Sequence, residues 1–152
     1  MSTITTLTLT VGFAIIKHML SDWAGDGVKS QIGQDLLDLC RDGINDRVGN
    51  KSERNQIDQM GERIVATMTP LWKEESRTLP ENSKAAIVLA VANTLAHARI
   101  DPESIIQHRL DAERMAKNLA REQKSETVGF SRDESALYLQ LLTESCRQLI
   151  YV

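Results

Sequence analysis

The sequence predicts an all-α protein, a compact bundle of about seven helices including short ones. Three observations predict it. Aliphatic residues recur every three or four positions along nearly the whole chain of 152 residues, and only Leu7-Thr8-Leu9-Thr10-Val11 alternates like a strand. Aromatic residues make up 4%, with 8 glycines and 3 prolines, which disfavours a sandwich of strands and frequent turns. Every residue from Ala85 to Ala92 is apolar. That run is too short for a bilayer, which needs roughly 20 apolar residues, but it suits a helix with neighbours on most sides.

The first helix is expected over residues 4–23. Leu9, Phe13, Ile16, Leu20 and Trp23 fall at helical spacing, with Val11, Ile15 and Met19 in a second row, and no charged side chain precedes Lys17. Gly25-Asp26-Gly27 ends it. Val28, Ile32, Leu36, Leu39 and Cys40 mark the buried face of the second helix, which Gly43 and Asn45 weaken and Gly49-Asn50 stops. The third opens near Ser52-Glu53 and repeats Ile57, Met60, Ile64 and Met68 until Pro70, which cannot donate to the hydrogen-bond ladder. Residues 74–81 read as a polar connection.

Pro80 and Asn82-Ser83 then open the central helix, in which Leu89 is expected to be almost completely buried. It ends near His97 to Arg99, where a cation at the helix terminus is mildly favourable. Asp101-Pro102 starts a short helix with Ile105 and Ile106 inward, and Asp111 starts another that carries Met115 and Leu119. Residues 121–127 form a solvated loop. Ser131 and Glu134 have the capping-box spacing, in which each side chain satisfies a backbone donor of the other, and Phe130 stands where a hydrophobic staple would. The last helix buries Tyr138, Leu142, Cys146, Leu149 and Ile150. Its end, Leu149-Ile150-Tyr151-Val152, is apolar and carries no stop signal, as if the chain ran on or docked into a further module.

Composition narrows the function. A length of 152 residues suits one helical domain, 1–152, and 41% hydrophobic against 26% charged residues is globular. A net charge of −3 argues against a nucleic-acid binder, which would carry a basic excess. Cys40 and Cys146 each fall among leucines, as small buried hydrophobes in a reducing compartment, and no basic n-region announces a signal peptide. A cytoplasmic location follows as the expectation.

No motif carries chemistry. The segment from Trp23 to Ser30 has glycines and Lys29-Ser30, but Val28 stands where a P-loop needs glycine and no strand precedes it. A helix-helix turn is expected there, without ATP hydrolysis or tight ATP binding. His97 and Asp101, and His108 and Asp111, are separated by helix breaks and match no strong metal spacing. No catalytic residue, cofactor or metal is therefore expected. The candidate functional residues are instead interaction residues: Leu9, Phe13, Ile16, Leu20 and Trp23 on the uncharged first helix, and Leu149, Ile150, Tyr151 and Val152 at the end.

The second half also carries a resemblance. Ala90-Val91-Ala92-Asn93-Thr94-Leu95 leads to Asp101-Pro102-Glu103 and then Leu110-Asp111-Ala112-Glu113-Arg114-Met115-Ala116. Leu137-Tyr138, Leu141-Leu142 and the segment from Glu144 to Ile150 follow. Over about residues 85–150 this resembles the N-terminal helical domains found ahead of NACHT nucleotide-binding modules in bacterial STAND proteins, NTPase switches of which many defend against phage. In that family the second helix start often reads Leu-Asp-Pro-Glu-Arg-Leu; here Ala112 replaces the proline and Met115 the leucine. The resemblance implies a NACHT module C-terminal to Val152 and a regulatory or oligomerisation role, with a homo-oligomer as one outcome. A membrane-acting effector using residues 7–23 is the alternative from another class, and a small enzyme or a transcriptional adaptor has less behind it.

Overall fold

The computed structural model of the chain describes the backbone of residues 3–98 and 111–150, with side chains at all of these but 3–9, 26, 27 and 125. Helix α1 spans Thr3–Trp23 and leads through a 3-10 turn at Gly25–Lys29 into α2, Gln31–Arg47. Helix α3 spans Lys51–Ser76, α4 Glu81–Ala96 and α5 Ala112–Glu122. A second 3-10 turn at Lys124–Thr127 precedes α6, Arg132–Ile150. No strand occurs among the described residues, and the alternating run near Leu9 lies inside α1. The short helix expected at Asp101-Pro102 lies outside the described residues.

Two helices share the centre. Helix α1 packs against α2, α3 and α4, and α4 in turn against α6, α2 and both 3-10 turns. Val11, Ala14, Ile15, Met19 and Leu20 of α1 are 0% exposed, as are Ile87, Val88, Val91 and Ala92 of α4. Leu89 departs from the expectation: it is half-buried. It stands in a stripe with Ala85, Ala86, Asn93 and Ala96, all half-buried, so α4 does have an outer side. Alanine and leucine fill that side in place of charge, which hid it from a reading of hydropathy. Asn93 there hydrogen-bonds Glu126 of the second 3-10 turn.

The helix starts follow local chemistry. Ser30 Oγ accepts from Gly33 N at 3.1 Å, Asn50 Oδ1 from Ser52 N at 2.8 Å, and Asp111 Oδ1 from Arg114 N at 2.9 Å. The capping box forms: Ser131 N donates to Glu134 Oε1 at 2.9 Å and Glu134 N to Ser131 Oγ at 3.2 Å. The Ser131 backbone N–H, with the hydroxyl, holds the Glu134 carboxyl below its ordinary value. Phe130 packs edge-on against Tyr138, with ring centroids 6.5 Å apart. Helix α4 is different, since Pro80 occupies its cap without a side-chain bond and Asn82-Ser83 fall inside the first turn.

Helix α3 runs straight through Pro70, where a break was expected. An interior proline costs about 3 kcal/mol. Beyond it lies Trp72, 5% exposed and stacked on Trp23 with centroids 5.5 Å apart. Burying an indole removes roughly 150–250 Å² from water, worth about 4–6 kcal/mol. Trp23 Nε1 also donates to Thr69 Oγ1 at 3.0 Å, and Thr69 Oγ1 donates to the Val65 carbonyl at 2.7 Å. The tryptophan pair outweighs the proline.

Helix α2 is rotated from the face its leucines suggest. Its buried residues are Gly33, Leu36, Cys40, Gly43 and Ile44, whereas Ile32 is 59% and Leu39 40% exposed. Gly43 explains the rotation. The Phe13 ring of α1 occupies the space where its side chain would stand, and a Cβ there would come within 2.5 Å of that ring. Seating Phe13 over Gly43 thus selects this face of α2, and two large aliphatics are left outside.

Candidate interaction site

The residues expected to form an interaction surface divide in two. In α1, Ile16 is 1%, Leu20 0% and Trp23 6% exposed, all within the core. Phe13 is half-buried between α1 and α2, over Gly43, with the Arg47 guanidinium 5.2 Å above the ring centroid. Leu9 lies in the early part of α1. At the other end, Leu149 and Ile150 are 3% and 7% exposed. A Cβ on Gly12 would lie 3.6 Å from Leu149 Cδ2, so the last turn of α6 rests on the first half of α1. The structure thus joins the two predicted stretches along one seam. Tyr151 and Val152, which continue α6 in sequence, lie outside the described residues.

A second feature escaped the sequence. Helices α1, α2 and α3 line an open groove of about 440 Å³, with Leu37 and Ile44 as apolar lining and Lys17, Arg41, Lys51, Arg54 and Asp58 among its other lining residues. Lys17 Nζ lies 2.7 Å and His18 Nε2 3.2 Å from Asp58 Oδ1, tying α1 to α3. Burial raises the Asp58 carboxyl, but the hydrogen bond and charge of Lys17, helped by His18, outweigh it and hold the group below its ordinary value. Arg41 is paired with Asp38 at 3.1 Å and Asp42 at 3.8 Å. Arg54 donates to Asn45 at 3.1 Å. The sequence signal for this groove is weak, because its cations come from three helices and each reads alone as a solvated face.

The chemical candidates have structural roles. Ser30 caps α2 and Val28 packs against the core, so the Gly25–Lys29 segment is a helix-helix turn. Cys40 and Cys146 are free and buried, and burial pushes both thiols up to about 12, against a small opposing effect of Lys17 on Cys40. His97 closes α4, its Nδ1 2.9 Å from the Asn93 carbonyl. His108 lies outside the described residues. Among the described residues no cluster of three or more His, Cys, Asp or Glu side chains is placed to hold a metal. Buried hydroxyls are satisfied locally: Ser76, Thr94 and Ser145 each donate to the carbonyl four residues back. Thr94 Oγ1 also meets the Tyr138 hydroxyl at 2.7 Å, pinning α4 to α6.

Comparison with known proteins finds one family. The sequence model described as NACHT N-terminal Helical domain 1 matches residues 8–152. The match takes in the first half of the chain, beyond the part where the resemblance was legible. No curated protein and no solved structure matches.

Proposed function

The chain belongs to the NACHT N-terminal helical domain 1 family, and from that premise we infer that it is the non-catalytic regulatory domain of a NACHT-type NTPase switch. In this reading a nucleotide-binding module lies C-terminal to Val152, and the domain couples its nucleotide state to self-association or effector output in the cytoplasm. The setting is bacterial defence against phage. The observation that carries the reading is the family match over residues 8–152.

The seam between α6 and α1 supports it physically. Coupling requires a surface that is buried differently in two states. The end of α6 meets α1 where Leu149 lies beside Gly12, and the chain proceeds from there through Ile150, Tyr151 and Val152. A displacement at the junction is therefore applied to the helix against which α2, α3 and α4 pack. A membrane-acting role for α1 has less support. Its Ile15, Ile16, Met19 and Leu20 already sit in the core, and no helix among the described residues is long and apolar enough to cross a membrane.

The test is Tyr151→Ser with Val152→Ser, made both in the 152-residue chain and in the full-length protein. Terminal residues add little to a bundle core. The chain should melt as the wild type does, while the full-length protein should lose nucleotide-dependent signalling or change its oligomeric state. Unfolding of the chain would assign both residues to the local core. Unchanged behaviour of both proteins would make the junction a passive linker.

A further inference from the structure

Helix α2 has two unlike flanks on either side of its buried face. On one, Ile32 and Leu39 stand seven residues apart and so lie along one line of the helix. Both are exposed large aliphatics, and Asp35, Asp42 and Asp46 run beside them, all exposed. The other flank faces the groove, which Leu37 and Ile44 line together with Lys17, Arg41, Lys51, Arg54 and Asp58, the last paired with Lys17. Lys17 and Arg41 have carboxylate partners, whereas Lys51 and Arg54 make no ion pair among the described residues. Lys51 is also the first residue of α3, where the helix end adds positive potential.

One flank is apolar with carboxylates, and the other is apolar with two cations, Lys51 and Arg54, that have no carboxylate partner among the described residues. They project from opposite sides of the same helix. Asp42 reaches its neighbour Arg41 at 3.8 Å, but among the described residues no carboxylate of this flank pairs with Lys51 or Arg54 within one chain. We propose that the Ile32–Leu39 flank of one chain docks in the α1–α2–α3 groove of a second copy, placing Asp35 and Asp42 against Lys51 and Arg54. The contact removes both exposed aliphatics from water and gives the two cations carboxylate partners. Because the two surfaces differ, the contact is head-to-tail and propagates to a ring or filament instead of closing as a symmetric pair. This proposal rests on the reading that the domain supports self-association, and it names the surfaces.

The test is sedimentation of the 152-residue chain over a range of concentrations at low and high salt. The wild type should gain mass with concentration and lose it with salt, since the pairing charges lie near the surface. Asp35→Lys with Asp42→Lys, and separately Lys51→Glu with Arg54→Glu, should each weaken association about tenfold or more, because like charges then face each other. An equimolar mixture of the two variants should regain association that grows with concentration, since the two unaltered surfaces still match and the two reversed surfaces again carry opposite charge. Ile32→Ser with Leu39→Ser, which changes no charge, should abolish association at both salt concentrations. Variants that associate as the wild type does would show that self-association uses another surface. A wild-type chain that stays monomeric while the full-length protein assembles with nucleotide would overturn the proposed contact and leave the regulatory reading standing. Failure of the full-length protein to assemble in either nucleotide state would count against self-association itself.

Discussion

Asp58 shows how a single residue ties this fold together and how pH should loosen it. Its carboxylate receives Lys17 of α1 at 2.7 Å and lies 3.2 Å from His18, so one side chain of α3 holds two successive residues of α1. The folded-state pKa lies below the ordinary value. The folded chain therefore binds fewer protons here than the unfolded chain at acid pH. The contribution to stability is complete above the ordinary aspartate value of about 4. It is lost as pH falls through the lower, folded-state value. Thermal melting of the wild type should accordingly decline through that acid range, and Asp58→Asn should flatten this part of the decline. An unchanged slope in the variant would show that the α1–α3 tie contributes nothing. By contrast, the buried thiols Cys40 and Cys146 stay neutral across the physiological range and act as packing groups.

At the scale of elements, the α1–α3 crossing depends on a residue without a side chain. A Cβ on Gly61 would lie 2.5 Å from Ala14 Cβ and 2.7 Å from the Ala14 backbone carbon, and neither is the end of a flexible side chain. Alanine gains about 1 kcal/mol of helix propensity over glycine, but overpacking a well-filled contact costs about 1–3 kcal/mol. Gly61→Ala should therefore lower the denaturation midpoint, whereas Gly49→Ala, with nothing within 4 Å of its Cβ, should shift stability by no more than about 1 kcal/mol. Equal stability of the two variants would mean that the helices do not touch at Gly61. The same glycines mark where the sequence was legible and where it was not. Helix positions, the Asp111 cap, the Ser131–Glu134 box and the row from Tyr138 to Ile150 follow from periodicity and local hydrogen bonding, which a sequence displays directly. The rotation of α2 does not, because Gly43 reads as a weak helix former until the Phe13 ring of α1 is in place. The continuation of α3 through Pro70 depends on the distant Trp23, and the groove on cations drawn from three helices. Neither is encoded in any one stretch.

Across the whole molecule, one chain of contacts links the two ends of the sequence. The last turn of α6 lies on α1 near Gly12, and α1 is held in turn by the Asp58 tie, the Gly61 crossing and the Trp23–Trp72 stack. The Thr94–Tyr138 hydroxyl pair fixes α6 to α4, the second central helix. Rigid packing of this kind transmits a displacement, because a close-packed core does not absorb it gradually. The α6–α1 seam is therefore where a nucleotide-dependent change should enter the domain, as the regulatory reading requires. Amide hydrogen exchange on the full-length protein, compared between its ATP-bound and ADP-bound states, measures this directly. Protection should differ between the two states at the end of α6, around Leu149 and Ile150, and in the facing first half of α1. Identical exchange across that seam in both states would contradict the claim that the domain is coupled to the nucleotide module through it.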